Sequence, residues 1–310
     1  MNDTTGVLFM AYGGPDSLED IPGYLADIRN TRPTPKRILD EIADHYRLIG
    51  GKSPLRDISS KQVAAVKHRL DSTCFTCYLG MRHWRPWIAD AVARMIDDGI
   101  TRAISIVLAP HYSSMSVAKY QAQIDNAQHL HHGTIAFRHV NAYHTNTSLI
   151  AGLALRVQEG LLKWEARERD DVHVIFSAHS LPQRILDNGD SYDASVKETA
   201  RCVAQDCALS ASQWSWSYQS AGRSNEPWLG PTLLETLQEL PGRGIDNVLV
   251  CPVGFVADHV EILYDLDIEA KQQAGRLGIR IERVAALNDH PLFLQALVDT
   301  IHEAVAHLES

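Results

Sequence analysis

Imidazole, hydroxyl and glycine residues follow the short apolar segments of this chain. These positions are residues 10–15, 109–114, 176–182, 218–222 and 251–255. The third segment contains His179, with small neighbours and with Pro182 at its end. A histidine in this position can bind a metal or accept a proton near neutral pH. It can equally be a structural histidine whose hydrogen bonds are satisfied, and the pattern alone leaves both interpretations open.

A second group of residues that could carry chemistry is acidic. Asp258, Glu261, Asp265 and Glu269 are three, four and four positions apart, which predicts that they share one face of a helix. Like charges at this spacing cost only a few tenths of a kcal/mol per pair, so a solvated acidic face is one interpretation. Apolar residues lie among the carboxylates, and an acidic row that borders a pocket could attract a divalent cation and pass protons. Carboxylate and imidazole ligands suit ferrous iron.

The elements that must position these groups alternate between strands and helices. Apolar segments predict strands at residues 6–12, 75–79, 103–109, 135–140, 172–177, 213–219, 247–251 and 279–284. Periodic segments predict helices at residues 148–166, 231–240, 260–276 and 293–308. This alternation is typical of α/β folds with parallel sheets, in which ligands bind beyond the carboxyl ends of the strands. We therefore expect two similar domains, residues 1–146 and 147–290, with a final helix at 291–310 that packs on the first.

Composition and charge limit the class of protein. The chain has 310 residues, 45% of them hydrophobic and 22% charged, which is ordinary for a globular protein. A net charge of −9 argues against nucleic acid as a partner. The five cysteines are odd in number and sparse for a chain of this length, which argues against a disulfide framework. No apolar segment reaches the length of a membrane span. The N-terminal segment lacks the basic start of a signal peptide, so we expect a cytoplasmic location.

Several motifs resemble known sites but lack an essential part. Residues 51–53 (GKS) end like a phosphate-binding loop, but the glycine required at position 46 is Tyr46. Cys74 and Cys77 have the spacing of a redox or zinc pair, without a second pair. The histidines near position 130 are most simply solvated loop residues. A zinc hydrolase is disfavoured because its paired ligand spacing is absent.

Five longer segments resemble the signature segments of the ferrochelatase family. They are SAHSLP at 177–182, QSAG at 219–222 with PWLGP at 227–231, PVGFVADHVE at 252–261, IGGKSPL at 49–55 and LAPHYS at 108–113. The resemblance covers almost the whole chain, and the segments occur in the same order.

The resemblance implies two Rossmann-like domains with parallel sheets flanked by helices and a porphyrin cleft between them. It implies that His179 and Glu261 are the catalytic pair, on opposite sides of the macrocycle. His179, neutral near pH 7, would accept pyrrole protons or deliver the metal. Fe²⁺ would be the substrate metal, with His179, Glu261, Tyr12, Asp265 and Glu269 as residues that contact it.

The resemblance also implies a set of porphyrin-binding residues: Tyr12, Arg29, Ser53, Tyr120, Arg82 and His83. Tyr12 matches a tyrosine of the bacterial group that acts on coproporphyrin III, which implies synthesis of coproheme in heme b biosynthesis. The alternative is a ferrochelatase that acts on protoporphyrin IX and gives protoheme. Asn30 stands where relatives often have a second arginine, which weakens the expected anchoring of the propionates.

Other departures and alternatives remain. No cysteine follows Cys251, so we expect no iron–sulfur cluster. The chain ends without the extension that some relatives use for dimers or membranes. We expect a monomer whose partners are porphyrin and ferrous iron. Two further functions stay open, namely a chelatase that inserts cobalt into a corrin precursor and a porphyrin or heme carrier without turnover.

Overall fold

The computed structural model describes residues 4–222 and 224–306. Its strands are β1 (Thr5–Ala11), β2 (Phe75–Met81), β3 (Arg102–Val107), β4 (Ala136–His139), β5 (His173–His179), β6 (Trp214–Gln219), β7 (Asn247–Cys251) and β8 (Arg280–Arg283). Its α-helices are α1 (Ile21–Ile28), α2 (Lys36–Leu48), α3 (Leu55–Lys67), α4 (Ile88–Asp97), α5 (Val117–Leu130), α6 (Thr147–Leu161), α7 (Arg184–Asp187), α8 (Tyr192–Asp206), α9 (Leu233–Glu239), α10 (Val260–Leu263), α11 (Lys271–Arg276) and α12 (Pro291–Ala306). A π-helical segment, Asp265–Ala270, lies between α10 and α11.

The strands form two parallel sheets with the same topology. One sheet has the order β2-β1-β3-β4, and the other has the order β6-β5-β7-β8. In each sheet the first strand in sequence therefore lies at an inner position. The predicted fold class is confirmed, and each predicted strand is present with ends shifted by a few residues. The predicted end of the last helix, at residue 308, lies outside the described residues.

The chain divides into two compact units. Unit 1 contains the described residues up to Tyr143, residues 257–260, and the described residues from Leu294 onward; unit 2 contains the described residues between them, 144–256 and 261–293. The domain boundaries predicted from the sequence, 1–146 and 147–290, remain a proposal. Along the described part of the chain, no helix is both long and apolar enough to cross a membrane.

The core of unit 1 lies between its sheet and two helices. Every residue of β1 is buried, as expected for a strand that is covered on both faces. Ile88, Val92 and Met95 of α4 and Ile124 of α5 pack against that sheet. Burial of such side chains contributes about 1.5–3 kcal/mol each.

The core of unit 2 fixes the helical segment that carries the acidic residues. Ile262, Leu266, Ala270 and Ala274 are buried in one cluster with Val248 and other residues of the sheet. Glu261, Asp265 and Glu269 each directly precede one of these buried positions. The carboxylates therefore lie along the border of the packed face.

The continuous α-helix predicted over residues 260–276 is wrong in its middle. The backbone N–H of Glu269 donates to the carbonyl oxygen of Tyr264 at 2.9 Å, which is the i→i+5 bond of a π-helix. Asp258 precedes the first helical residue, Val260, so the prediction that four carboxylates share one face of a regular helix is also wrong. A π turn contains one residue more than an α turn. The spacing of apolar residues in the sequence does not reveal that extra residue.

Gly254 allows the segment after β7 to lie against the end of β5. A Cβ atom at Gly254 would lie 2.5 Å from the Cβ of Ala178 and 2.9 Å from its Cα. The second atom belongs to the backbone and cannot move cheaply. We expect Gly254→Ala to lower the free energy of unfolding in urea by about 1–3 kcal/mol, the usual cost of overpacking.

Gly275→Ala is the matched control, because no atom lies within 4 Å of the position where its Cβ would be. Gly275 lies in α11, where alanine is favoured over glycine by up to about 1 kcal/mol. Its substitution should leave stability unchanged or raise it. Equal stabilities of the two variants would contradict the close approach at Gly254.

Candidate functional site

His179 is the last residue of β5, the inner strand that pairs with β6 on one side and β7 on the other. Its main chain is held by Tyr192, whose hydroxyl donates to the His179 carbonyl oxygen at 2.9 Å. The following residue, Ser180, donates its hydroxyl to the carbonyl oxygen of Leu229 at 2.7 Å. These bonds fix the backbone from which the imidazole projects.

The two ring nitrogens of His179 have different partners. Nδ1 forms a short hydrogen bond with the carbonyl oxygen of Ser180. Because a carbonyl only accepts, Nδ1 carries a hydrogen, and the lone pair of the neutral ring is on Nε2. Nε2 lies 3.5 Å from Oε1 of Glu261. The proton-accepting nitrogen of His179 therefore faces a carboxylate.

The pKa of His179 is raised above its ordinary value of about 6.5. Burial would lower the pKa, but the charge of Glu261, its hydrogen bond, the Ser180 carbonyl and the charge of Asp265 together outweigh that effect. The sign follows from the chemistry, because all of these groups favour the protonated ring. A proton accepted at Nε2 is therefore held more strongly than by an ordinary imidazole, and a neutral His179 near pH 7 stays a prediction.

A macrocycle between His179 and Glu261, as the resemblance implies, needs a wider separation than this structure shows, and the placement of the pair around a porphyrin stays a prediction. A flat ring between two side chains needs a van der Waals separation on each face, roughly 7 Å in total. The observed separation is 3.5 Å. The side chains are 29% and 36% exposed, so a ligand can reach both of them.

The remaining acidic residues differ in their surroundings. Asp265 accepts a short hydrogen bond from the hydroxyl of Ser220, and its charge acts on His179. Glu269 is exposed. No group of three or more His, Cys, Asp or Glu side chains within the described residues has an arrangement that could hold a metal ion. The structure places Glu261 in contact with His179 and lets the charge of Asp265 act on the imidazole, and the metal contacts expected from the sequence remain a proposal.

Two polar residues near this group received no role from the sequence. The hydroxyl of Ser177 donates to Oε1 of Gln219 at 2.8 Å, and Nε2 of Gln219 donates to the carbonyl oxygen of Glu261 at 2.9 Å. Both side chains are buried, Ser177 fully and Gln219 to 5% exposure. Their position in the motifs at strand ends was the available signal, but a contact 42 residues apart in sequence could not be predicted from it.

Unit 1 has its own group of polar residues, at the carboxyl ends of β1 and β2. The backbone N–H groups of Arg82 and His83 donate to the carbonyl oxygens of Ala11 and Tyr12, both at 2.9 Å. The Tyr12 and His83 rings are 4.6 Å apart between centroids. Nδ1 of His83 lies 2.7 Å from Oδ2 of Asp27. Burial nevertheless lowers the pKa of His83, assisted by Arg82, so this imidazole stays neutral at neutral pH.

The other predicted porphyrin-binding residues of unit 1 are placed as follows. The guanidinium of Arg82 lies 5.5 Å from the centroid of the Tyr120 ring. Ser53 is buried, and its N–H donates to the carbonyl oxygen of Pro15 at 3.0 Å. Among the described residues, Nε of Arg29 is buried and has no hydrogen-bond partner, and its Nη2 is 3.4 Å from the carbonyl oxygen of Pro33.

The five cysteines are thiols: Cys74, Cys77, Cys202, Cys207 and Cys251. Burial raises the pKa of Cys77 to about 11, which disfavours the reactive thiolate in the pair Cys74 and Cys77. The expected absence of an iron–sulfur cluster stays a prediction, as does the monomeric state.

Comparisons with known proteins agree with the motifs. The sequence profile described as Ferrochelatase matches residues 4–305. The chain belongs to the ferrochelatase family. It is 55% identical over 305 residues to "Ferrochelatase" of Deinococcus radiodurans, with 98% of this chain and 96% of that protein covered. It is also 38% identical to "Coproporphyrin III ferrochelatase" of Geobacillus kaustophilus, with 96% and 95% covered.

Solved structures of other chelatases share the fold of this family member. The chain resembles SirB from Bacillus subtilis with Fe³⁺ with a TM-score of 0.63 and 10% identity, over 99% of this chain and 97% of that one. It resembles CbiX, described as the terminal enzyme of siroheme biosynthesis in denitrifying bacteria, with a TM-score of 0.54 and 13% identity, over 96% and 99%. At these identities the likeness concerns the fold alone.

The charge of Glu261 should control the titration of His179. We expect Glu261→Gln to lower the pKa of His179, because the substitution removes the largest contribution that favours the protonated ring. NMR titration of ¹³C-labelled histidine would measure this. In the wild type, a raised pKa also means that the pair stabilises the fold below about pH 6.5 and loses this contribution as the pH rises through the His179 pKa.

Glu198→Gln is a matched control, since Glu198 forms a similar contact with another imidazole, at 3.0 Å from Nε2 of His144. It should leave the titration of His179 unchanged. An unaltered His179 titration in Glu261→Gln would show that the two side chains are not paired in solution.

Proposed function

We propose that this chain inserts Fe²⁺ into coproporphyrin III, giving coproheme for heme b biosynthesis. The observation that carries the proposal is the contact between His179 Nε2 and Glu261 Oε1 in a chain that belongs to the ferrochelatase family. Insertion requires a base that removes protons from a poorly acidic ring nitrogen, and the pair supplies an imidazole whose accepting nitrogen lies next to a carboxylate.

The reaction releases two protons from the pyrrole N–H groups of the free porphyrin as Fe²⁺ enters. His179 accepts one pyrrole proton at Nε2, Glu261 stabilises the imidazolium that forms, and the second proton passes to solvent water. Asp265 adds negative charge next to the pair. The same three groups attract the incoming cation, so binding of the metal and removal of the protons occur on one side of the ring. Positioned proton acceptors of this kind contribute about 10²–10⁴-fold to a rate.

Distortion of the flat porphyrin exposes the nitrogen lone pairs to the metal. Binding energy from groups far from the reacting centre can supply roughly 1–5 kcal/mol for such strain. The propionates are those groups in a porphyrin. Arg29 and Arg82 offer guanidinium groups for them, and the buried Arg29 Nε has no partner within the described residues. A carboxylate would satisfy it.

The choice of coproporphyrin III rests on two observations. Relatives that are 37–39% identical, from Geobacillus, Anoxybacillus and Halalkalibacterium, are called coproporphyrin III ferrochelatases. Tyr12 is present and 40% exposed, where it can face the porphyrin. The Deinococcus relative, at 55% identity, is called only ferrochelatase, so protoporphyrin IX is the alternative substrate.

An anaerobic absorbance assay tests the function. The protein is mixed with Fe²⁺ and either porphyrin, and loss of the free-base spectrum is followed. We expect turnover of coproporphyrin III with the higher kcat/KM. His179→Ala should lower kcat by about 10²–10⁴-fold while porphyrin binding, measured by fluorescence quenching, is retained.

His144→Ala provides a matched control, because this imidazole also contacts a carboxylate but lies in a different part of unit 2. Its kcat should stay near that of the wild type. Wild-type turnover in His179→Ala would refute the role of His179. Porphyrin binding without any metal insertion by the wild type would instead support the carrier function.

A further inference from the structure

The end of β6 touches the acidic helical segment at two points. Gln219, the last residue of β6, donates to the backbone carbonyl of Glu261, and the next residue, Ser220, donates to the Asp265 carboxylate. Ser220 has a φ of +57°, the left-handed conformation, which is uncommon for serine. Two consecutive residues of one strand end therefore bond to the two acidic residues that act on His179.

The orientation of the Gln219 amide is determined by its partners. The carbonyl of Glu261 can only accept, so the NH₂ group of Gln219 must face it. The amide oxygen then points back to Ser177, whose hydroxyl donates at 2.8 Å. Ser177 lies two positions before His179 on β5, so its side chain projects from the same face of the strand as that of His179.

The Glu261 carbonyl that Gln219 binds lies close to a change in helix type. The helix changes from α to π at Asp265, four residues after Glu261. Such a change disturbs the regular i→i−4 bonds, and a donor from outside the helix stabilises the turn where this occurs. A shift of the Glu261 backbone would move its carboxylate relative to Nε2 of His179, which is 3.5 Å away.

We propose that Gln219, oriented by Ser177, is a positioning residue that holds Glu261 at contact distance from His179. The buried chain Ser177–Gln219–Glu261 links the strand that carries the base to the helix that carries the carboxylate. Ser177 acts through Gln219 and has no separate effect on Glu261. This inference rests on the proposed function for its kinetic consequence, but the positioning itself can be measured without turnover.

Gln219→Met tests the proposal, because it keeps the length of the side chain and removes both hydrogen bonds. We expect kcat for insertion of Fe²⁺ into coproporphyrin III to fall about 10–100-fold, as for other residues that orient a reacting group, with little change in the Kd of the porphyrin. NMR titration should show the pKa of His179 moving down towards its ordinary value. Ser177→Ala should change both quantities in the same direction by less.

The double variant Ser177→Ala/Gln219→Met separates positioning from a general structural role. If Ser177 acts only through Gln219, the double variant loses no more activity than Gln219→Met alone. Multiplied losses would overturn this part of the proposal. Circular dichroism and thermal unfolding establish that each variant is folded, and Ser177→Ala, which leaves the Gln219 bond in place, keeps the test available if Gln219→Met does not fold.

Gln213→Met is the matched control, since Gln213 also donates its amide to a backbone carbonyl, that of Asp170 at 3.1 Å, but away from His179. It should leave kcat and the His179 titration unchanged. Equal effects of Gln213→Met and Gln219→Met would overturn the proposal. If the wild type fails to insert iron, the proposed function fails, and the His179 titration in Gln219→Met still decides whether Gln219 positions Glu261.

Discussion

The contact between His179 and Glu261 is the interaction on which the proposed chemistry of this chain depends. It joins the end of an inner strand to a carboxylate 82 residues later in the sequence, so the register of β5, β6 and β7 sets its length. An imidazole next to a carboxylate binds a proton more strongly than either group does alone in water. The same pair attracts a cation, which combines the two requirements of metal insertion in one place.

Much of the fold could be predicted from the sequence, because the patterns that indicate strands and helices involve only residues close together in the chain. Strands buried on both faces are continuous apolar segments, and parallel order requires helices between them. The apolar segments at 6–12 and 172–177 predict two such strands. They correspond to β1 and β5, which lie at the inner positions of the two sheets. The placement of reactive residues after strands also follows from the fold class. His179 was selected by that rule, and it is the last residue of β5.

The parts that could not be predicted depend on distances between segments far apart in sequence. Spacing placed Asp258 on the same helical face as Glu261, but the helix begins only at Val260 and changes to π geometry at Asp265. The resemblance implies that a porphyrin separates His179 from Glu261, whereas the two side chains are 3.5 Å apart in this structure. Gln219 begins the QSAG motif, which indicates no role for it, because its bond to Glu261 exists only once β6 is next to β5.

The most direct test of the account is a crystal structure of the protein with metal-free coproporphyrin III. The account predicts that the side chains of His179 and Glu261 lie on the same face of the macrocycle and remain within contact distance, because they act together on the pyrrole protons. A macrocycle that lies between the two side chains, separated by roughly 7 Å or more, would contradict it.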